Sequence, residues 1–83
     1  MDYELAVHAQ RRIDEREIRI EWLELALEHP TLTLKDADDP SLEHRFVAIE
    51  EADNRVLRVV CDPIVFPIRV ITVHFDRRMR GKL

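Results

Sequence analysis

At Pro30 the hydrophobic period of this chain changes from that of a helix to that of a strand, and this change limits the folds open to it. Before the proline, Leu5, Ala9 and Ile13 recur at i, i+4 and i+8 with Ala6 beside them, predicting an amphipathic helix from about Leu5 to Arg16. Ile18, Trp22, Leu23, Ala26 and Leu27 build a second, fuller apolar face, and Pro30 turns the chain out of helix at His29. The break between Arg16 and Ile18 holds no glycine or proline, so one bent helix is the alternative to two. Beyond Pro30, Thr31 to Leu34 alternates as a short strand, and Asp36-Ala37-Asp38-Asp39-Pro40 carries turn chemistry. His44 to Glu50 and Arg55 to Cys61 read as strands joined by a hairpin turn at Ala52-Asp53-Asn54. After a loop bracketed by Pro63 and Pro67, Ile68 to Phe75 is the run richest in β-branched residues. The order predicts an α+β fold, with two N-terminal helices packed on one face of a mostly antiparallel four-stranded sheet.

With 83 residues the chain has room for one domain, residues 1–83, with the basic segment 77–83 expected to be flexible. Alternation places Leu57, Val59 and Cys61 on one face against Val56, Arg58 and Val60 on the other. The next strand separates Ile71, Val73 and Phe75 from Val70, Thr72 and His74. One set faces the helices; the other brings Arg58, Thr72 and His74 toward a shallow groove on the sheet surface, if the strand register allows.

The formal net charge of −4 is unevenly spread. Residues 1–30 hold four arginines against eight acids, and residues 31–54 two bases against seven acids, whereas residues 55–83 hold seven bases against two acids. A basic C-terminal third suits a phosphate-bearing partner such as RNA. No apolar run reaches the roughly 18 residues of a membrane span, and the acidic opening Asp2-Tyr3-Glu4 lacks the apolar stretch of a secretory signal. With a single cysteine, Cys61, no internal disulfide can form, and a cytoplasmic protein is expected. The four histidines and Cys61 show no paired ligand spacing, so no metal is expected, and no glycine-rich nucleotide loop or G-x-S-x-G elbow occurs. No cofactor is implied.

On the first predicted helix, His8, Arg11, Arg12 and Glu15 stand at i, i+3, i+4 and i+7, with Arg16 adjacent. Histidine and carboxylate as proton carriers beside bidentate arginines are the equipment of metal-free RNA cleavage. His8, Arg12 and Glu15 are therefore the catalytic candidates. Arg16, Arg45, Arg58, Arg69, His74 and Arg77 are the candidate RNA-phosphate ligands. The competing reading of the helical charges is a solvated salt-bridge ladder.

The run from His8-Ala9 through Arg12 to Arg16-Glu17-Ile18, followed by Trp22 and a helix ending at Pro30, resembles a family of short prokaryotic proteins of unknown function. The segments Arg45-Phe46-Val47-Ala48-Ile49, Arg55-Val56-Leu57-Arg58-Val59-Val60 and Ile68-Arg69-Val70-Ile71 are similar to the sheet of RelE and BrnT-like toxins. That resemblance implies a RelE-like fold and a metal-independent endoribonuclease acting as the toxin of a toxin-antitoxin pair. It places Arg45, Arg58 and Arg69 on the RNA-facing side, with His8 and Arg12 as the polar signature. The implied partners are RNA and a cognate antitoxin, with a homodimer compatible and no membrane association expected. A non-catalytic module binding protein or RNA through its basic sheet face is the other hypothesis.

Overall fold

A computed structural model describes residues 2–83, leaving Met1 outside the account. Strand β1 (Tyr3–Leu5) leads into helices α1 (Val7–Glu15) and α2 (Ile20–Glu28), and four strands follow: β2 (Leu32–Lys35), β3 (Glu43–Ile49), β4 (Arg55–Asp62) and β5 (Ile68–Phe75). Single 3₁₀ turns occupy Glu50–Ala52 and Arg77–Met79. The class is α+β, as expected, but the sheet has five strands in the order β1-β5-β4-β3-β2 and is mixed, because β1 runs parallel to β5.

The additional strand is short and hidden by its own composition. Leu5 fits the i, i+4 spacing of α1, so the sequence draws it into the helix; in the structure, Tyr3, Glu4 and Leu5 pair with Ile68, Arg69 and Val70. One marginal helical turn is worth less than a ladder on an otherwise open strand that also packs Tyr3 and Leu5 against the core.

The two helices are separate, and a Schellman motif parts them. Glu17 adopts a left-handed φ of 52°, and the Ile18 amide bonds the Ile13 carbonyl at 3.0 Å. Ile13 and Ile18, the apolar pair of that motif, are both buried. No glycine was needed to stop the helix.

Ala9 and Ile13 of α1 and Leu23, Ala26 and Leu27 of α2 pack on Val47, Ile49, Leu57, Val59, Cys61, Val70 and Val73 in one core cluster. A register shift between Val60 and Cys61 pairs Val59 with Val73 but Cys61 with Val70. Val70 therefore joins the core cluster, which corrects the strict alternation that grouped it with Thr72 and His74. The face away from the helices is not open either: Phe46, Val56 and Val60 are buried there. Arg58 lies over the Phe46 ring at 5.1 Å and His44 stacks beside it. Two-sided burial explains why β4 reads as an almost unbroken apolar run.

The hairpin between β3 and β4 turns where expected, with Asp53 and Asn54 both at φ 59°. Downstream of β5, the segment expected to be flexible carries the Arg77–Met79 turn, and Arg80 Nη2 donates to the Asp53 carbonyl at 2.7 Å and its carboxylate at 3.0 Å. No helix among the described residues is long and apolar enough to cross a membrane.

Candidate functional site

The ladder between β1 and β5 ends at Val70. Its carbonyl accepts from the Ala6 amide at 2.9 Å, after which the chain turns into α1, so β5 from Ile71 to Phe75 has no strand neighbour on that side. A cleft of about 680 Å³ lies along this open edge. Arg12 and Arg16 reach it from α1, Arg55 from the start of β4, and Thr72, His74, Phe75 and Arg77 from β5 and the turn after it. Four guanidinium groups and one imidazole line the cleft, and no carboxylate does.

Several of these groups are held in place. Arg55 Nε donates to the Ala52 carbonyl at 3.1 Å, and its guanidinium lies 4.0 Å above the Phe75 ring. The Phe75 ring in turn meets Trp22 edge-on at 6.1 Å. His74 is directly opposite Arg58 across the β4–β5 ladder, and the expected juxtaposition of Arg58, Thr72 and His74 on one face is present, with Thr72 opposite Val60. Burial lowers the His74 pKa first, the Arg58 charge lowers it further, and Asp76 opposes them without cancelling them. The shift favours the neutral imidazole.

Arg58 anchors a chain of polar contacts behind the histidine. Its Nε donates to His44 Nδ1 at 2.8 Å and its Nη1 to Asp76 Oδ2 at 2.7 Å, while His44 Nε2 is 2.6 Å from Asp36 Oδ1. A guanidinium can only donate, so Nδ1 of His44 presents its lone pair and Nε2 carries the proton to Asp36. The Asp36 carboxyl is held down to about 2 by that His44 bond and by the amides of Asp39 and Asp38. For Asp76, burial raises the pKa, but the Arg58 bond, the Arg78 amide and the two guanidinium charges outweigh it and leave the group below its ordinary value.

The structure divides the residues singled out from sequence. Arg12, Arg16, His74 and Arg77 meet in the cleft, and Arg58 stands behind it. His8 is exposed on α1 and lines no part of the cleft, and Glu15 points to a separate shallow groove with Arg11 and Asp14. Arg45 sits on the helix-facing side, where Nη1 donates to the Leu27 carbonyl at 2.8 Å and Nε to Glu43 at 3.1 Å. Arg69, opposite Glu4 and Asp62 at the far end of β5, is five residues or about 17 Å along the strand from His74. Sequence reasoning missed Arg55 and Phe75. Their signal was a cross-strand relation, Phe75 pairing with Leu57 two residues beyond Arg55, and it depends on a register that composition does not reveal. Among the described residues no three potential metal ligands cluster.

Every cleft residue but Arg77 falls within residues 5–75, which match the family described as a domain of unknown function, DUF4258. The chain belongs to that family. The expectation of a small family of unknown function is thereby borne out, while the match carries nothing about the His8 to Ile18 pattern or about RelE and BrnT-like toxins. In this DUF4258 domain the pattern has a structural and an exposed half: Ala9 and Ile18 are buried, while Arg12 and Arg16 reach the cleft. Comparison with curated proteins and with solved structures found no match.

Proposed function

We propose that this domain binds a phosphodiester of RNA in the cleft along β5 and cleaves it without a metal, as a toxin-like endoribonuclease. The supporting observation is the convergence of Arg12, Arg16, Arg55 and Arg77 on a half-buried histidine in a cleft without carboxylates. In this reading the proton-carrying role passes from His8 and Glu15, which lie outside the cleft, to His74. Neutral His74 takes the proton of a ribose 2′-hydroxyl, and the 2′-oxygen attacks phosphorus. The arginines hold the crowded, doubly charged phosphorane, the bond to the 5′-oxygen breaks, and that oxygen takes its proton from water, whose hydroxide is neutralised by the proton on His74, restoring the neutral imidazole. The products are a 2′,3′-cyclic phosphate and a 5′-hydroxyl. A cognate antitoxin in this scheme is a protein that covers the arginines.

A non-catalytic RNA-binding module is the second reading. It is favoured by the scarcity of proton carriers, since arginine does not give up its proton near neutrality and His74 is the only other titratable side chain lining the cleft. Induced expression in bacteria, with growth and RNA integrity followed beside single-stranded RNA binding by the purified protein, separates the two. The first reading expects RNA fragmentation that falls about 10²- to 10⁴-fold in a folded His74→Ala variant that still binds. It also expects Arg12→Ala to weaken binding and to reduce the salt slope by about one. RNA that is bound and left intact selects the module, and absence of binding removes both.

A further inference from the structure

Beside the cationic cleft lies a smaller pocket of about 260 Å³ lined by Arg55, Val56, Phe75, Asp76, Arg77 and Arg80. It shares Arg55, Phe75 and Arg77 with the cleft, so the two are continuous, yet their chemistry differs. The cleft is lined by cations and neutral groups, whereas the pocket adds Val56 and the buried Asp76 to Phe75 and its arginines. A second phosphate is disfavoured next to that carboxylate. A flat, uncharged ring is not, because guanidinium planes stack on aromatic faces.

We infer that this pocket receives one nucleobase of the strand whose phosphate occupies the adjoining cleft, an assignment that rests on the RNA reading above and adds a base subsite to it. The rim is pre-organised for such a guest. Arg55 is pinned by the Ala52 carbonyl and by Phe75, and Arg80 by two bonds to Asp53, so each offers a guanidinium face whose orientation is already set. Asp76 is buried and held by Arg58 Nη1 and by the Arg78 amide, one to each oxygen, so its part of the lining is fixed. Arg80 lines only the pocket, and Arg12 and Arg16 line only the cleft, so phosphate and base recognition can be removed separately.

The test uses two strands with the same number of phosphates, hexaadenylate and a hexamer of the same ribose-phosphate backbone without bases, titrated against the full chain at one salt concentration. The expected result is tighter binding of hexaadenylate by about 5- to 150-fold, the range of one stacked base. Arg80→Ala should abolish most of that difference without weakening the abasic strand, and Arg12→Ala should weaken both strands alike. Phe75→Leu, checked for folding by its thermal transition, is the second probe: it should remove the base-dependent difference and, because Phe75 also lines the cleft and seats Arg55, weaken the abasic strand as well. Equal binding of the two strands by the wild-type chain overturns the base subsite and leaves the phosphate cleft standing. Binding of neither strand overturns both.

Discussion

Glu17 shows what a single residue can cost. It holds the left-handed position that ends α1, where a side chain is strained and glycine is not. Glu17→Gly is expected to raise stability by about 1 kcal/mol, or several degrees in Tm for a domain of this size, in thermal and urea unfolding. An unchanged or lower midpoint would show that the strain is relieved elsewhere. The same scale explains why the arginines of the strands separated as they did. Arg45 alternates in phase with Val47 and Ile49, both buried against the helices, while Arg58 is in phase with Val56 and Val60 on the other face. That parity was legible in the sequence; which face was free for a ligand was not. Both faces of β4 are apolar, so composition could not say which one the helices cover.

At the scale of elements, the readable parts were those with strong local signals. α2, β5 and the hairpin at Asp53-Asn54 lie where period, β-branching and turn chemistry put them. β1 and the bulge at Val60/Cys61 did not announce themselves, because both arise from pairing with a distant strand. The end of α2 depends on such a partner as well. Pro30 stops the helix, but Arg45 of β3 reaches across to bond the Leu27 carbonyl and so satisfies one of the last-turn acceptors. Arg45→Ala is expected to destabilise the fold by about 1.5 to 3 kcal/mol, the usual worth of a charged hydrogen bond, while RNA binding by the remaining folded protein stays unchanged. A loss of affinity with no loss of stability would return Arg45 to the binding surface.

Across the whole molecule, the charge total concealed the site. A chain with net charge −4 gathers four of its arginines in one cleft, two from the acidic first third and two from the basic last third. Titration of the fold follows from the groups it perturbs. Asp36, Asp39 and Asp76 all have depressed values, Asp39 chiefly through its Ser41 bonds, so the stability they supply is present above their ordinary 3.8 and is lost as pH falls below it, for Asp36 through about 2. His74 is also depressed: the unfolded chain takes up its proton below 6.5 while the folded one resists, and stability begins to fall there. On the alkaline side, burial raises the Cys61 thiol, and unfolding gains a released proton as pH passes 9.0. Urea midpoints measured from pH 3 to 10 are therefore expected to peak at about pH 7 to 8, with a shoulder near 6.5 that His74→Ala removes. A flat profile between pH 5 and 7 would show that His74 titrates alike in both states.

The parallel pairing of β1 with β5 has a further consequence, in time rather than in space. The walls of the cleft come from residues as far apart as Arg12 and Arg77, and β5 is the last strand to be made. During synthesis the helices and the β3–β4 hairpin can collapse early, but the sheet cannot admit β1 until β5 has emerged between it and β4. A nascent chain still lacking β5 has arginines without a cleft to hold them, and the site assembles only once β5 enters the sheet.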